Sequence, residues 1–588
     1  RRSASDLFLE NGIWILKRYL GGKGHTVEPL DLATNSFYRS INPGFISKLS
    51  RKIYGKLFSG KKKKPGIKEK LLFGAGMLIQ WLSKKIRYTR MRKKLRQIAE
   101  EAAHRGDRIF GIKVWYGEAF TWAQELCRLI HDKSPETIVI AGGFHPTLYE
   151  QDFMEESSFD IAVTGEGEQP LTAILDIIDT YKHAWDRETV LQEIAETIKQ
   201  GNLSNTLIED PQRKGEYLHA RKHPEIIEKA IPEYPKERQE KMGVHILVDS
   251  LGCAWGKCSF CVHSKFFEKM APRQVERVVD EIEEMVKQGI GLFRFSGSDT
   301  YPSFGSLIGE EILKRGLNIE YSIGARASTG TKTDITYERV VSQYETMIKS
   351  GMRAVFIGGE TGNNWINEHV MNKGVKTEDI IWTIQAMREA EKRAGKKIYI
   401  SLALIYPAPT LGKVSLDEIY ADNIHLVKQS MPDAVMVTPP APFKQTPWYK
   451  EREKYGFILG KDFVKKLMTY EYVMYKPVSL WEELECELEG KKFKELMREC
   501  GRMRKGIEEL GIETDVSDEH FLMQIASGYE SNPQEFKKES LLDIISGDYE
   551  WLEEVGRKVN TYSSRLADER HPLPVYVAPV YSLQDNIV

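Results

Sequence analysis

Apolar positions recur every three or four residues through "LFLENGIWILKRYLGGKG" (7–24), which predicts an amphipathic helix stopped by glycine; "HTVEPLDL" (25–32) reads as a strand after it. Short apolar runs then alternate with helical periods. They are "RIFGIKVW" (108–115), the helix "AFTWAQELCRLIHDK" (119–133), "ETIVIAGG" (136–143), a helix, "IAVTGEGE" (161–168) and a further helix. Such alternation predicts a parallel sheet covered by helices, a Rossmann-like (flavodoxin-like) arrangement with its first strand before residue 6. Ligands of these sheets bind beyond the carboxyl ends of the strands. Those ends carry "VWYGE", "GGFHPT" and "TGEGE".

Residues 205–243 are polar and dotted with proline, and are expected to be a linker. A second alternation follows, with strands expected at 245–251, 292–299, 319–326, 354–360, 397–407 and 433–440, separated by helices such as "VERVVDEIEEMVKQG". Six β/α units predict a partial (β/α)6 TIM barrel over 244–450, with its chemistry at the strand C-termini. From 451 to 588 the pattern is helical, as in "EELECELEGKKFKELMRECGRMRKGIEELG". The first domain is expected to span 1–204 with an insert at about 41–97.

A chain of 588 residues is long enough for three or four domains. Six cysteines are too few for a disulfide framework, and their clustering points to metal binding or catalysis in a reducing compartment. Arg1–Leu20 does not read as a secretory leader. The longest apolar run, Leu71–Leu82, is too short to span a bilayer, so a cytoplasmic enzyme is expected. The net charge of −1 conceals an asymmetry. Residues 51–97 hold 17 Lys/Arg against one acid, Glu69, or +16, which leaves −17 for the rest.

Cys253, Cys258 and Cys261 lie in "DSLGCAWGKCSFCVHSKF" (249–266), just after the first barrel strand, with spacing C-x4-C-x2-C. Thiolates suit soft metals. Closed structural zinc takes four ligands, and no fourth cysteine or paired histidine stands at the expected spacing, although His263 is two residues on. A [4Fe-4S] cluster on three cysteines leaves one iron open. The plain alternative is three buried structural thiols.

This loop, its place after barrel strand 1, and Phe260 before the last cysteine resemble the radical S-adenosylmethionine (SAM) enzymes over about 243–448. The family's usual spacing is C-x3-C-x2-C; this chain carries one extra residue. The resemblance implies that Cys253, Cys258 and Cys261 hold the cluster, whose open iron takes the amino and carboxylate groups of SAM. Reductive cleavage would give a 5′-deoxyadenosyl radical, with an external electron donor such as flavodoxin or ferredoxin. It implies further that Ser296, Gly297 and Asp299 lie near the SAM amino group, that Arg326 forks onto the carboxylate, that Glu360 holds the ribose, and that Tyr406 and Pro407 adjoin the adenine. Each has a plainer alternative, from a strand-end turn to a solvated arginine.

"AGGFHPT" and "DIAVTGEGE" resemble the cobalamin-binding domain that precedes the barrel in one branch of this family, the class B methyltransferase-like enzymes. There Gly142, Gly143, His145, Thr147, Thr164, Gly165, Glu166 and Gly167 would line the corrin or its nucleotide tail. Glycine permits close backbone approach. The D-x-H-x-x-G signature of a lower-face histidine is absent, so His145 is not assigned to the cobalt, and Trp115 or Tyr116 would face it. A vestigial sheet that binds nothing is the alternative.

The function expected from these resemblances is cobalamin-dependent methylation of an unactivated carbon, through a 5′-deoxyadenosyl radical and methylcobalamin. A rearrangement, coupling or ring closure without methyl transfer is the alternative. A tRNA- or membrane-binding protein with a structural cluster is disfavoured by the strand-end cysteines. The substrate, whether lipid-like, peptide or small molecule, stays open. Cys486 and Cys500 read as structural thiols. The basic stretch reads as a solvated face, an amphipathic segment on anionic lipid, or an RNA contact using Trp81 and Tyr88. The apolar run Leu71–Leu82 tilts the expectation towards a membrane surface.

Overall fold

The structure, a computed structural model, describes residues 7–9, 11–58, 66–220, 228–267, 270–328, 336–470 and 481–569. Its strands in chain order are β1 (Phe8–Leu9), β2 (Ile109–Lys113), β3 (Ile138–Gly142), β4 (Ile161–Val163), β5 (Thr206–Glu209), β6 (Tyr217–His219), β7 (Met242–Leu247), β8 (Ser250–Leu251) and β9 (Ala271–Pro272). They continue with β10 (Leu292–Phe295), β11 (Glu320–Arg326), β12 (Met352–Glu360), β13 (Tyr399–Ile405), β14 (Ala434–Thr438), β15 (Phe457–Leu459), β16 (Cys486–Leu488), β17 (Lys491–Lys492) and β18 (Glu513–Thr514).

The six expected barrel strands form one parallel sheet, β7-β10-β11-β12-β13-β14, extended by β1 at one edge and β18 at the other. Strands such as β13, "YISLALI", are apolar on both faces because helices and core enclose them. The helix Val275–Lys287 shows why: Val278, Val279, Ile282 and Met285 repeat at helical spacing and are buried against the sheet. The helix Glu550–Asp568 closes the end where the strands begin. Ser563 Oγ accepts the Gly291 N–H at 3.0 Å and donates to the Gly243 carbonyl at 2.6 Å. A side chain at Gly291 would stand 2.5 Å from Leu566 Cβ, so glycine allows the helix to seat. The opposite end, where the strands finish, is left for the site.

The second sheet has the order β2-β3-β4-β5-β6; β2 to β4 are parallel, and β5 and β6 run antiparallel to their neighbours. Several expectations change here. Phe8 and Leu9 are a strand paired with β7 of the other sheet, and the helix starts only at Asn11. Residues 25–32 form no strand. The basic stretch does not interrupt the sheet: the helices Gly44–Phe58 and Ile67–Arg105 both precede β2, which is its edge. The expected linker supplies β5 and β6, because Leu207 and Ile208 find an open edge at β4. The C-terminal region is mainly helical but adds the antiparallel sheet β15-β16-β17 and strand β18.

Candidate functional site

The loop that follows β7 is pinned at its base by the antiparallel pair β8/β9 and by Asp249. The fully buried Asp249 carboxylate accepts the Gly297 N–H and the Thr300 hydroxyl, both at 2.8 Å. A Cβ at Gly297 would lie 2.5 Å from Asp249 Oδ1, so only glycine allows this approach. Beneath the loop, Arg273 donates to the Val248 carbonyl at 2.8 Å and to Glu281 at 2.6 Å, and Glu281 pairs with His245 at 2.9 Å.

Within the loop, Cys258 is buried and Cys253 and Cys261 are half-buried. The Cys261 N–H donates to the Cys258 carbonyl at 3.4 Å. The segment 371–374 holds the loop from below. Ser259 N–H bonds the Met371 carbonyl at 2.9 Å, the Trp255 indole N–H bonds the Asn372 carbonyl at 2.7 Å, and Asn372 returns a bond to the Lys257 carbonyl at 2.9 Å. The Trp255 ring lies against Gly374, where a Cβ would stand 2.3 Å from it. Among the described residues, no three His, Cys, Asp or Glu side chains form a closed metal-ligand group. The cysteines thus share a loop and a donor chemistry without a closed ligand geometry. Burial pushes the Cys258 thiol up to about 12 against the opposing pull of Lys373. Metal ligation requires the thiolate and so reverses this protonation.

Charged side chains surround the thiols. Glu360 ends β12 in the left-handed region at φ 62, where the ladder to β13 shifts register. Its carboxylate takes the buried Lys373 ammonium at 2.7 Å. Burial pushes Lys373 down, but the neighbouring Glu360 and Cys258 outweigh it and raise it above its ordinary value. A Cβ at Gly358 would stand 2.7 Å from both partners, which is why the pair needs glycine there. Arg326 caps the Trp255 ring at 4.9 Å, donates to the Lys373 carbonyl at 2.5 Å, and its backbone N–H bonds Asp299 at 3.0 Å. Its buried Nε has no acceptor. Ser296 binds the Leu247 carbonyl through its N–H at 2.8 Å, beside Gly297. One expected residue lies elsewhere. The Tyr406 ring is wholly buried in the barrel core near Tyr420, and its hydroxyl reaches the Leu416 carbonyl at 3.3 Å, so packing accounts for it.

At the ends of β3 and β4 the loops are held by backbone bonds and by threonine hydroxyls. Gly143 sits at φ 98 and Gly165 at φ 95, where L side chains are strained. Thr147 Oγ1 donates to the Gly143 carbonyl at 2.7 Å and accepts the Gly165 N–H at 2.8 Å, joining the two glycine loops. Thr164 N–H bonds the Asn205 carbonyl at 2.8 Å, and its hydroxyl lies 3.3 Å from His219. Gly142 has open space around it, and Gly167 packs near Leu16. Trp115 and Tyr116 are 43% and 45% exposed. His145 is different. It is fully buried among Phe120, Tyr149 and Phe153, neither ring nitrogen has a well-formed partner, and burial lowers it to about 4. It packs in the core in its neutral form.

The two strand-end regions meet. Phe144 lies tilted against Trp115 at 5.2 Å and edges onto Phe266 of the cysteine loop at 5.7 Å. Lys229 pairs with Glu166, and with Glu168 at 2.6 Å. Burial, with Arg273 adding repulsion, lowers Lys229 to about 8. Lys444 pairs with Asp152, and the Gly117 N–H bonds the Met468 carbonyl at 3.2 Å. Lys373, Trp255, Lys229 and Phe266 escaped the sequence reading, since no motif marks them.

Residues 73–175 match the family model described as B12 binding domain. The match begins inside the helix that had read as an insert. An anaerobic magnesium-protoporphyrin IX monomethyl ester cyclase from Rubrivivax gelatinosus is 26% identical over 279 residues, 45% of this chain and 46% of that protein. A protein of the same description from Cereibacter sphaeroides is 23% identical over 344 residues, 56% and 50% of the two chains. The chain thus spans about half the length of these curated relatives. Among solved structures, the radical S-adenosylmethionine methyltransferase TsrM from Kitasatospora setae, with cobalamin and a [4Fe-4S] cluster bound, matches at TM-score 0.57 and 13% identity, over 91% of this chain and 96% of that one. The chain carries a B12-binding domain and shares the fold of the TsrM structure.

Proposed function

We propose that this chain is a cobalamin-dependent radical SAM enzyme that methylates an unactivated carbon. The observation that carries the reading is the Phe144–Phe266 contact, which sets the strand-end loops of the two sheets face to face. Cys253, Cys258 and Cys261 would hold a [4Fe-4S] cluster, and the glycine loops at Gly142–Gly143 and Gly165–Gly167 would receive cobalamin. A bound cluster supplies the electron that cleaves SAM, and a bound cobalamin carries a methyl group. The protein's part is positional. The unpartnered Arg326 Nε suits a SAM carboxylate. The Glu360–Lys373 pair keeps a fixed carboxylate at the end of β12. The aromatic row Trp115, Phe144 and Phe266 ties the loops of the two sheets together. An external one-electron donor of the flavodoxin or ferredoxin kind completes the set.

A ring-forming or rearranging reaction is the second reading, supported by the curated relatives' description as cyclases. The two differ in the fate of SAM. Anaerobic reconstitution with iron, sulfide and hydroxocobalamin, followed by SAM and a reductant, tests them by mass spectrometry. Methyl transfer expects S-adenosylhomocysteine as well as 5′-deoxyadenosine. 5′-Deoxyadenosine without S-adenosylhomocysteine selects the second reading, and neither product refutes both.

A further inference from the structure

The helix Ile67–Arg105 has two unlike faces along its first half. At about 100° per residue, Ile67, Leu71, Leu78, Trp81 and Leu82 fall in one sector about 100° wide. Opposite them lie Gly76 and Ser83, both buried. The Gly76 side packs on Tyr54 of the helix Gly44–Phe58, at 3.2 Å from where a Cβ would stand. Both helices are in turn fixed to the C-terminal helices: Arg51 of the shorter one pairs with Glu539 and Asp543, and Gln80 of the longer one donates to the Ile545 carbonyl at 3.0 Å. The inner faces are therefore satisfied.

The outer face is not covered. Ile67 is 80% exposed, Leu71 69%, Leu78 66% and Trp81 59%, and Phe45 on the companion helix reaches 83%. Of the 17 large hydrophobic side chains exposed among the described residues, ten lie in these two helices. Such concentration marks an interaction surface rather than scattered surface residues. Lys70, Lys84 and Lys85 are exposed on the same helix, within a stretch where 17 basic residues meet one acid.

We propose that this apolar, basic face docks the protein on an anionic lipid bilayer. Apolar side chains gain by entering the headgroup boundary while neighbouring lysines meet lipid phosphates, and Trp81 is suited to that interface. A second copy of the chain would bring +16 against +16. An RNA backbone would use the charges and leave the Ile/Leu stripe in water. No crossing of the membrane is involved, since no described helix is long and apolar enough to span one.

The full chain, with or without cofactors, is sedimented with vesicles of phosphatidylcholine alone or with about a quarter phosphatidylserine, at low and high salt. Binding should require phosphatidylserine and weaken as salt rises. A variant with Ile67→Ser, Leu71→Ser, Leu78→Ser and Leu82→Ser should bind about tenfold more weakly or worse. Its thermal midpoint should fall only slightly, because these side chains are mostly exposed. Lys70→Glu with Lys85→Glu should cost about fivefold per residue. Failure of the unaltered chain to sediment with anionic vesicles at low salt overturns the proposal. So does full binding by the serine variant, which indicates a purely electrostatic partner such as RNA. A dimer in gel filtration that the serine variant converts to monomer also overturns it. None of these readouts depends on the cofactor reading.

Discussion

Two regions of this molecule present loops beyond the carboxyl ends of parallel strands, and they are secured differently. At the barrel, charged side chains do the holding: Glu360 with Lys373, Arg326 over Trp255, Asp249 under Gly297. At the smaller sheet, two glycines at positive φ are joined through the Thr147 hydroxyl, and the pairs of Lys229 with Glu166 and Glu168 stand beside them. The first arrangement gathers charged groups around a buried Arg326 Nε that has no acceptor. The second places exposed Trp115 and Tyr116 beside glycine loops. Variants should therefore fail separately in the two regions.

The largest separation is expected at Cys258. Cys258→Ala removes one of three thiols from the loop and should abolish both iron binding and 5′-deoxyadenosine production, at least about 100-fold. Uptake of hydroxocobalamin should persist. Full iron content and full SAM cleavage in this variant would refute the cysteine assignment. Loss of cobalamin uptake as well would show that the two regions are one cooperative unit.

Next comes the buried ion pair. Lys373→Met strands the Glu360 carboxylate in a site that is 7% exposed, and breaking a buried pair typically costs about 3–5 kcal/mol. Thermal unfolding of the single variant should show that loss, and adding Glu360→Gln should recover most of it by removing the orphaned charge. A single variant as stable as the parent would mean that the pair is not what holds the barrel loops.

The third test sits in the other region. His145 titrates near 4 in the fold because burial disfavours its charged form, against 6.5 when unfolded. Between those values the unfolded chain binds the proton and the folded one does not, so stability falls as pH drops from 6.5 to 4, by about 3 kcal/mol in full. Above 6.5 there is no effect. His145→Leu should flatten that step and leave cobalamin binding unaltered. Parallel acid losses in both proteins would mean that His145 is not buried neutral, and weakened cobalamin binding would return it to the ligand site.

Local pattern carried the reading far in the barrel and less far outside it. All six central strands and the cysteine loop's place after the first one were legible, because β/α alternation is a short-range signal. The glycines at 143 and 165, marked by their motifs, do adopt positive φ. Pairings between distant segments were not. Phe8–Leu9 joins β7 across more than 230 residues, and Leu207–Ile208 reads as linker until β4 offers it an edge. His145 and Tyr406 stand in suggestive motifs, but their side chains turn into the core, and a one-dimensional motif does not record direction. Lys373 has no motif at all; its meaning comes from Glu360 lying 2.7 Å away.

The smallest effect sharpens the comparison most. Thr147→Val keeps the side-chain shape and deletes the hydroxyl that accepts the Gly165 N–H and donates to the Gly143 carbonyl. Loss of such a pair leaves the Gly165 amide without its acceptor, at about 1–3 kcal/mol. Half-buried loops can recover part of that from water, so an effect near the lower bound is expected. If the glycine loops form the cobalamin platform, loosening them should weaken hydroxocobalamin binding by about tenfold, or 1.4 kcal/mol. Iron content and SAM cleavage should be untouched, since no bond from Thr147 reaches the barrel. The measurement is a spectrophotometric titration of anaerobic protein with hydroxocobalamin, alongside iron analysis of the same sample. Unchanged affinity would mean that the Thr147 hydroxyl serves the fold alone. A parallel fall in iron would mean that the two strand-end regions are not held independently, because disturbing the backbone latch of one would then have disturbed the charged cage of the other.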